Sequence, residues 1–253
     1  MKKAALAIFF IINTINLFSY SVEVVTEQYP PFNYEKDGKA GGVSTEIVKA
    51  VLEEVGIEAE INVMRWGSAY RRARSRWREN VLIYSIGRNP EREDQFHWIG
   101  VVAPFDISFY SISERSDIVV DDFNDLKRYT TGVVRGDMRD NFFKNRKEFK
   151  VERYRNSEAV LEALKNREVD LMPVAELNFP YIVEYFGYEL NQFQKIYKSE
   201  ELSSEGLYMA FGRNSSLEIV KIFKKGLEKI KKSGKYDEIM GNYLKYYNET
   251  EEN

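Results

Sequence analysis

The chain has no cysteine and a single histidine, His97. The first absence excludes disulfides and a lipid-modified cysteine, so a secreted form must be stabilised by its core alone. Together the two absences exclude a thiolate zinc site and the HExxH metalloprotease pattern. A Ser-His-Asp triad would have to use His97, and no GxSxG elbow accompanies it. There is no Walker loop, no GxGxxG and no EF-hand loop, although a carboxylate-only site for calcium or magnesium stays open. No cofactor is therefore expected. Positive charge is not in excess either. The net charge is -3, which gives nucleic-acid binding no support. There is no internal repeat, no low-complexity segment and no Gly- or Pro-rich linker.

What remains suits a globular protein that binds rather than reacts. The 253 residues are 43% hydrophobic and 30% charged, enough for one large or two modest domains. The 17 Tyr and 16 Phe suit a core, or a pocket for a small organic ligand. The one long apolar run, "AALAIFFIINTINLF", follows Lys2 and Lys3 and reads as a signal peptide over residues 1–21, cleaved after Ser21. The competing reading is a membrane anchor, but Asn13 and Asn16 interrupt a run already short for a span. A periplasmic protein without a direct membrane anchor is expected.

Beyond residue 21, strand and helix patterns alternate. Strands are expected at 22–26, 57–63, 81–86, 96–100 and 107–112, then at 129–134, 150–154, 169–174, 193–198 and 207–211. Helices are expected at 44–56, capped by Ser44 or Thr45 and Gly56, and then from about 65 to 79. Trp66, Tyr70, Ala73 and Trp77 recur there at helical spacing as an apolar stripe, leaving the arginines on a solvated face. Later helices are expected at 137–145, 157–166, 176–186, 215–233 and 235–247, the last two separated by Gly234. Residues 199–206 read as a polar loop. Such alternation implies parallel α/β sheets. If there are two domains, their joints fall near 107–113 and 202–211, with a ligand cleft between them.

Four segments could carry chemistry. In "EQYPPFNY" (27–34), prolines stiffen a loop that displays Tyr29, Phe32 and Tyr34, either to a ligand or as a clasp over the core. In "VVRGDMRD" (133–140), Asp137 reads as a helix N-cap, though exposed N–H groups there could also receive an anion. His97, between Phe96 and Trp98, reads as packed. In "GRNPERED" (87–94), Asn89 could cap a turn begun by Pro90. Arg92 would then lie in a first helical turn, where the dipole disfavours a cation. It either holds a carboxylate by its two-pronged fork or pairs weakly with Glu91, Glu93 or Asp94.

Taken together, the segments resemble one family, the bacterial extracellular solute-binding proteins of amino-acid ABC transporters. The resemblance rests on Tyr29-Pro30-Pro31-Phe32 after the first strand, "GGVSTEIVKAV" with Gly42 and Glu46, Trp66 opening the next helix, "NPER", "TGVVRG" and "ALKNREVD". It implies a two-lobed periplasmic-binding-protein fold, with two βα sheets joined by two hinge strands. Residues 22–108 with 207–253 would form one lobe and 109–206 the other. It further implies that Arg92 grips the ligand's carboxylate, that Tyr29 covers the ligand, and that Trp66 lines the cleft. Asp137 stands where Ser or Thr is usual, Asn89 replaces the usual Thr, and Gly87 replaces a Ser or Thr. The acid that usually takes the α-amine is replaced by Ala175, so Glu176 or Asp137 would have to substitute. Arg88 and Phe32 complete the candidate set. The implied role is delivery of a small polar solute, an amino acid or related carboxylate, to a membrane permease by a monomer. The alternatives are a dehydratase-like enzyme on the same scaffold, with Glu46, Asp137 or Glu176 as general acid, and a sensing module for a receptor.

Overall fold

The computed structural model describes residues 20–251. The expected signal peptide, apart from Tyr20 and Ser21, lies outside them. Among the described residues no helix is long and apolar enough to cross a membrane.

The chain opens with β1 (Glu23–Glu27), a hairpin of β2 (Tyr34–Lys36) and β3 (Lys39–Gly41), and α1 (Val43–Val55). Then come β4 (Ile61–Met64), α2 (Trp66–Ala73) and β5 (Val81–Gly87). β1 lies between β4 and β5, parallel to both. Each crossover is a helix, as parallel pairing requires. α1 starts at Val43 with Gly42 as N-cap and no side-chain cap. The expected caps instead lie buried, and Thr45 Oγ1 shares a 2.8 Å hydrogen bond with the Tyr84 hydroxyl. Gly42 has φ 108°, and a Cβ there would meet the Phe32 carbonyl at 2.5 Å, so only glycine fits this junction.

Two long strands then carry the chain between lobes. β6 (Phe96–Ile112) takes it out and β10 (Phe193–Gly212) brings it back, paired antiparallel along their length. Between them lie β7 (Thr130–Val134), α3 (Met138–Phe143), β8 (Lys150–Tyr154), α4 (Ser157–Lys165), β9 (Met172–Ala175) and α5 (Phe179–Tyr185). α6 (Leu217–Lys232) and α7 (Lys235–Glu251) close the chain. The large sheet has the order β4-β1-β5-β10-β6-β9, and the parallel pair β7-β8 joins it through a Thr131–Leu171 bridge.

The all-parallel expectation needs correction, because β10 runs antiparallel to β5 and β6, and β9 antiparallel to β6. The strands expected at 96–100 and 107–112 are one strand. The expected loop at 199–206 lies within β10. Its polar composition hid a strand whose serines repair an irregular ladder. Ser203 accepts from the Ile107 amide at 2.8 Å, and Ser199 accepts from the Leu202 amide at 3.2 Å. The stripe expected through Trp77 also fails, since α2 ends at Ala73.

One core packs Ile47, Val48, Val51 and Leu52 of α1 against Phe223, Leu227 and Ile230 of α6 over Leu82, Tyr84 and Phe211. Another packs Val160, Leu161 and Leu164 of α4 with Val174, Phe179 and Phe193. A third joins Phe32 and Val43 to Phe105, Ile107 and Phe109, and to Leu126 and Phe143. Burying each such side chain is worth about 1.5–3 kcal/mol, and the third cluster ties the two sides of the molecule together.

Candidate functional site

The ends of β1, β4 and β5 and the start of α2 converge on one cleft, the usual ligand position at strand carboxyl ends. β5 delivers its end by a bulge. Val81 and Ile83 pack on one face and Leu82 and Tyr84 on the other, but Ile86 sits with Ile83. Ser85 is the extra residue, where the register against β10 shifts. Its φ is 58°, and its Oγ is buried with no hydrogen-bond partner among the described residues. A positive φ on a serine and an orphaned hydroxyl both cost stability and are typical of ligand sites. No sequence signal marked Ser85.

After β5 the chain turns rather than forming an α-helix, and a 3-10 turn covers Glu93–Gln95. Asn89 caps the turn over Pro90–Arg92 that precedes it, accepting from the Arg92 amide at 3.0 Å, and the 3-10 turn itself has no side-chain cap. The Arg92 guanidinium donates to the Gly87 carbonyl at 2.9 Å and lies 5.3 Å from the ring centres of both Trp66 and Tyr70. The two rings and the carbonyl fix its plane. Among the described residues it has no ion pair with a carboxylate, so most of its five donors are unspent. The two arginines thus differ. Arg88 is clamped by Glu93 through two bonds, of 2.8 and 2.5 Å, and stacks on Trp98 and Tyr208.

Glu27, at the end of β1, was not singled out from the sequence, where it reads as one acid among 40. Burial raises its carboxyl from 4.5 to about 7, against the opposing pull of Arg92. No side-chain partner satisfies it among the described residues. Glu27 and Trp66 line a cavity of about 500 Å³ together with Gln28, Glu35, Val63, Met64 and Arg65. The site therefore pairs a poised cation with a poised acid.

Tyr29 follows Glu27 by two residues, its hydroxyl raised to about 12 by burial and under the influence of Arg139, Glu27 and Asp137. Phe32 is fully buried and stacks beneath it, 5.1 Å between ring centres. It supports the loop and has no exposed face. Asp137 is the N-cap of α3, accepting from the Arg139 and Asp140 amides at 2.8 and 2.9 Å. Its second oxygen takes the Arg139 guanidinium at 2.7 Å, which removes the repulsion expected of a bare acid there. Arg139 is a second cation near Tyr29 that the sequence did not mark. Glu176 is drawn to the hinge, where it accepts from Ser108 at 2.6 Å and pairs with Lys195 at 3.4 Å. His97 is half-buried, with Nε2 3.3 Å from the Arg213 carbonyl, and burial lowers its pKa. Across the cleft, Asn178 donates a short hydrogen bond to the Pro30 carbonyl.

Known proteins are similar to this chain in sequence or in architecture. A probable histidine-binding protein of Campylobacter jejuni subsp. jejuni serotype O:2 is 25% identical over 220 residues, 85% of this chain and 81% of that one. An ancestral arginine-binding protein, solved with arginine, superposes with a TM-score of 0.68 at 21% identity, covering 88% of this chain and 97% of its own. A histidine kinase sensor domain similar to periplasmic binding proteins gives 0.70 at 18% identity, covering 89% and 97%. These two structures support the two-lobed fold. Residues 22–246 match the family directly, and the chain belongs to the bacterial extracellular solute-binding proteins, family 3.

Proposed function

We propose that this protein binds an amino acid with a cationic side chain in the periplasm and delivers it unchanged to an ABC permease. One observation carries the reading: Arg92, with unspent donors, and Glu27, half-buried and without an ion-pair partner among the described residues, serve one cleft. Arg92 takes the carboxylate through its fork. Glu27 takes the side-chain cation. Trp66 and Tyr70 hold the guanidinium, Tyr29 covers the ligand, and Ser85 offers its orphaned hydroxyl. The relatives named for histidine and arginine binding favour the same ligand class. The lobes proposed are residues 22–108 with 207–253, and 109–206. They close by flexing within β6 and β10, and the Asn178–Pro30 bond holds them shut.

A thermal-shift screen tests this. Histidine, arginine, lysine and ornithine should raise Tm, because ligand bound only to the folded state stabilises it by mass action. Neutral amino acids and dicarboxylates should raise it less. No shift with any amino acid, or a larger shift with dicarboxylates, refutes the assignment. Recovery of chemically unchanged ligand from the complex supports binding, and turnover refutes it.

A further inference from the structure

The arginine-rich stretch from the last turn of α2 onward leads away from the cleft. α2 begins at the cleft with Trp66 and ends at Ala73, and the following loop leads into Val81, the start of β5. The cleft lies at the other end of that strand, beyond Gly87. Seven residues of strand separate the two by roughly 20 Å.

This loop displays Trp77 with 94% of its surface exposed, an extreme value for a side chain that gains so much from burial. Arg71, Arg74, Arg76 and Arg78 are exposed around it, and Arg72 is half-buried. Glu23 is the carboxylate that answers them, at 2.9 Å from Arg72 and 3.0 Å from Arg78. Glu79 belongs to the loop itself, and Glu218 stands near it at Tyr20, beside Ser216, whose amide donates to Asn80 at 3.1 Å. Arg71 reaches Ser68 and Arg74 lies over Tyr70, while Arg76 has no side-chain partner among the described residues. The chain also enters the fold here. Asn80 donates to the Ser21 carbonyl at 3.5 Å, and its own carbonyl accepts from the Glu23 amide at 3.2 Å.

We infer that residues 71–80, with Trp77 at the tip, form a membrane-contact patch that seats on an anionic lipid surface. An indole is amphipathic and settles at headgroup level, and guanidinium forks match lipid phosphates. A protein that receives the solute must face the cleft, so this patch at the far end suits a bilayer rather than a permease. Docked there, the protein keeps its cleft open to the periplasm.

The test is co-sedimentation of protein recovered from the periplasm with vesicles of phosphatidylglycerol and phosphatidylcholine, and with phosphatidylcholine alone. Wild type should sediment with the anionic vesicles and be released by 0.5 M salt, since screening weakens such contacts. Each arginine removed should lower partitioning about fivefold, so the triple Arg71→Gln, Arg76→Gln, Arg78→Gln variant should lose about a hundredfold. Trp77→Ala should lose a similar factor to one arginine, and Trp77→Phe should retain more. Ligand-induced Tm shifts should stay unchanged in all of them. No sedimentation of wild type, equal sedimentation with neutral vesicles, or variants that match wild type each overturn the proposal. So does sedimentation only with vesicles that carry membrane proteins.

Discussion

Replacing Glu27 by glutamine should make the empty protein more stable and the binding protein worse. The Glu27 carboxyl moves from 4.5 when unfolded to about 7 in the folded chain, chiefly through burial. Its folded pKa is raised, so the stability it confers is complete below pH 4.5 and is lost as pH rises through 7. At about 1.4 kcal/mol per tenfold, that loss is about 3 kcal/mol by pH 8. Glutamine does not ionise and escapes it. Urea unfolding of wild type and of Glu27→Gln at pH 4 and pH 8, without ligand, measures the difference. The variant's advantage should grow by about 2–3 kcal/mol between the two pH values. With ligand the order should reverse, because a bound cation recovers the cost of ionising Glu27. Wild type should also release close to one proton on binding near pH 6, seen as a dependence of calorimetric heat on buffer ionisation. An advantage that is the same at both pH values refutes the buried-carboxylate account. Unchanged affinity in Glu27→Gln refutes its role toward the ligand.

Arg92→Ala should weaken carboxylate binding by about a hundredfold or more, since a charge-assisted pair is lost in a desolvated cleft. Unchanged affinity by calorimetry rejects the grip. Asn178→Ala removes the cross-lobe bond to Pro30 and should shift the ligand-free protein toward open forms, read as a larger radius of gyration in solution scattering, with affinity about tenfold weaker. Gly42→Ala should cost about 3 kcal/mol or more, because it combines a positive φ with a clash on backbone, and a fall in Tm of several degrees checks it. Ser85→Gly should relieve the backbone strain and leave no orphaned hydroxyl, raising Tm while lowering affinity.

The sequence alone determined much that is local. Helices α1, α4 and α6 follow their apolar spacing, Gly56 and Gly234 end helices with positive φ, and Asp137 caps α3. These depend on neighbours within a few residues, where periodicity and backbone preference act. The ordered set of short segments also pointed to the family and to Arg92. The strand inside "SEELSSEG" was hidden, because its ladder is made with β6, some 96 residues away at Ile107 and Ser203. Trp77 looked like core because spacing cannot reveal that a helix stops four residues earlier. The acid of the site was sought near Ala175 and Glu176, yet Ser108 and Lys195 hold Glu176 at the hinge. Glu27 looked ordinary, since an acid becomes exceptional only when folding removes water from it and sets an arginine near by. Pairing across long stretches of chain, and the burial that follows, were decided by the tertiary structure, because both depend on residues that the sequence keeps far apart.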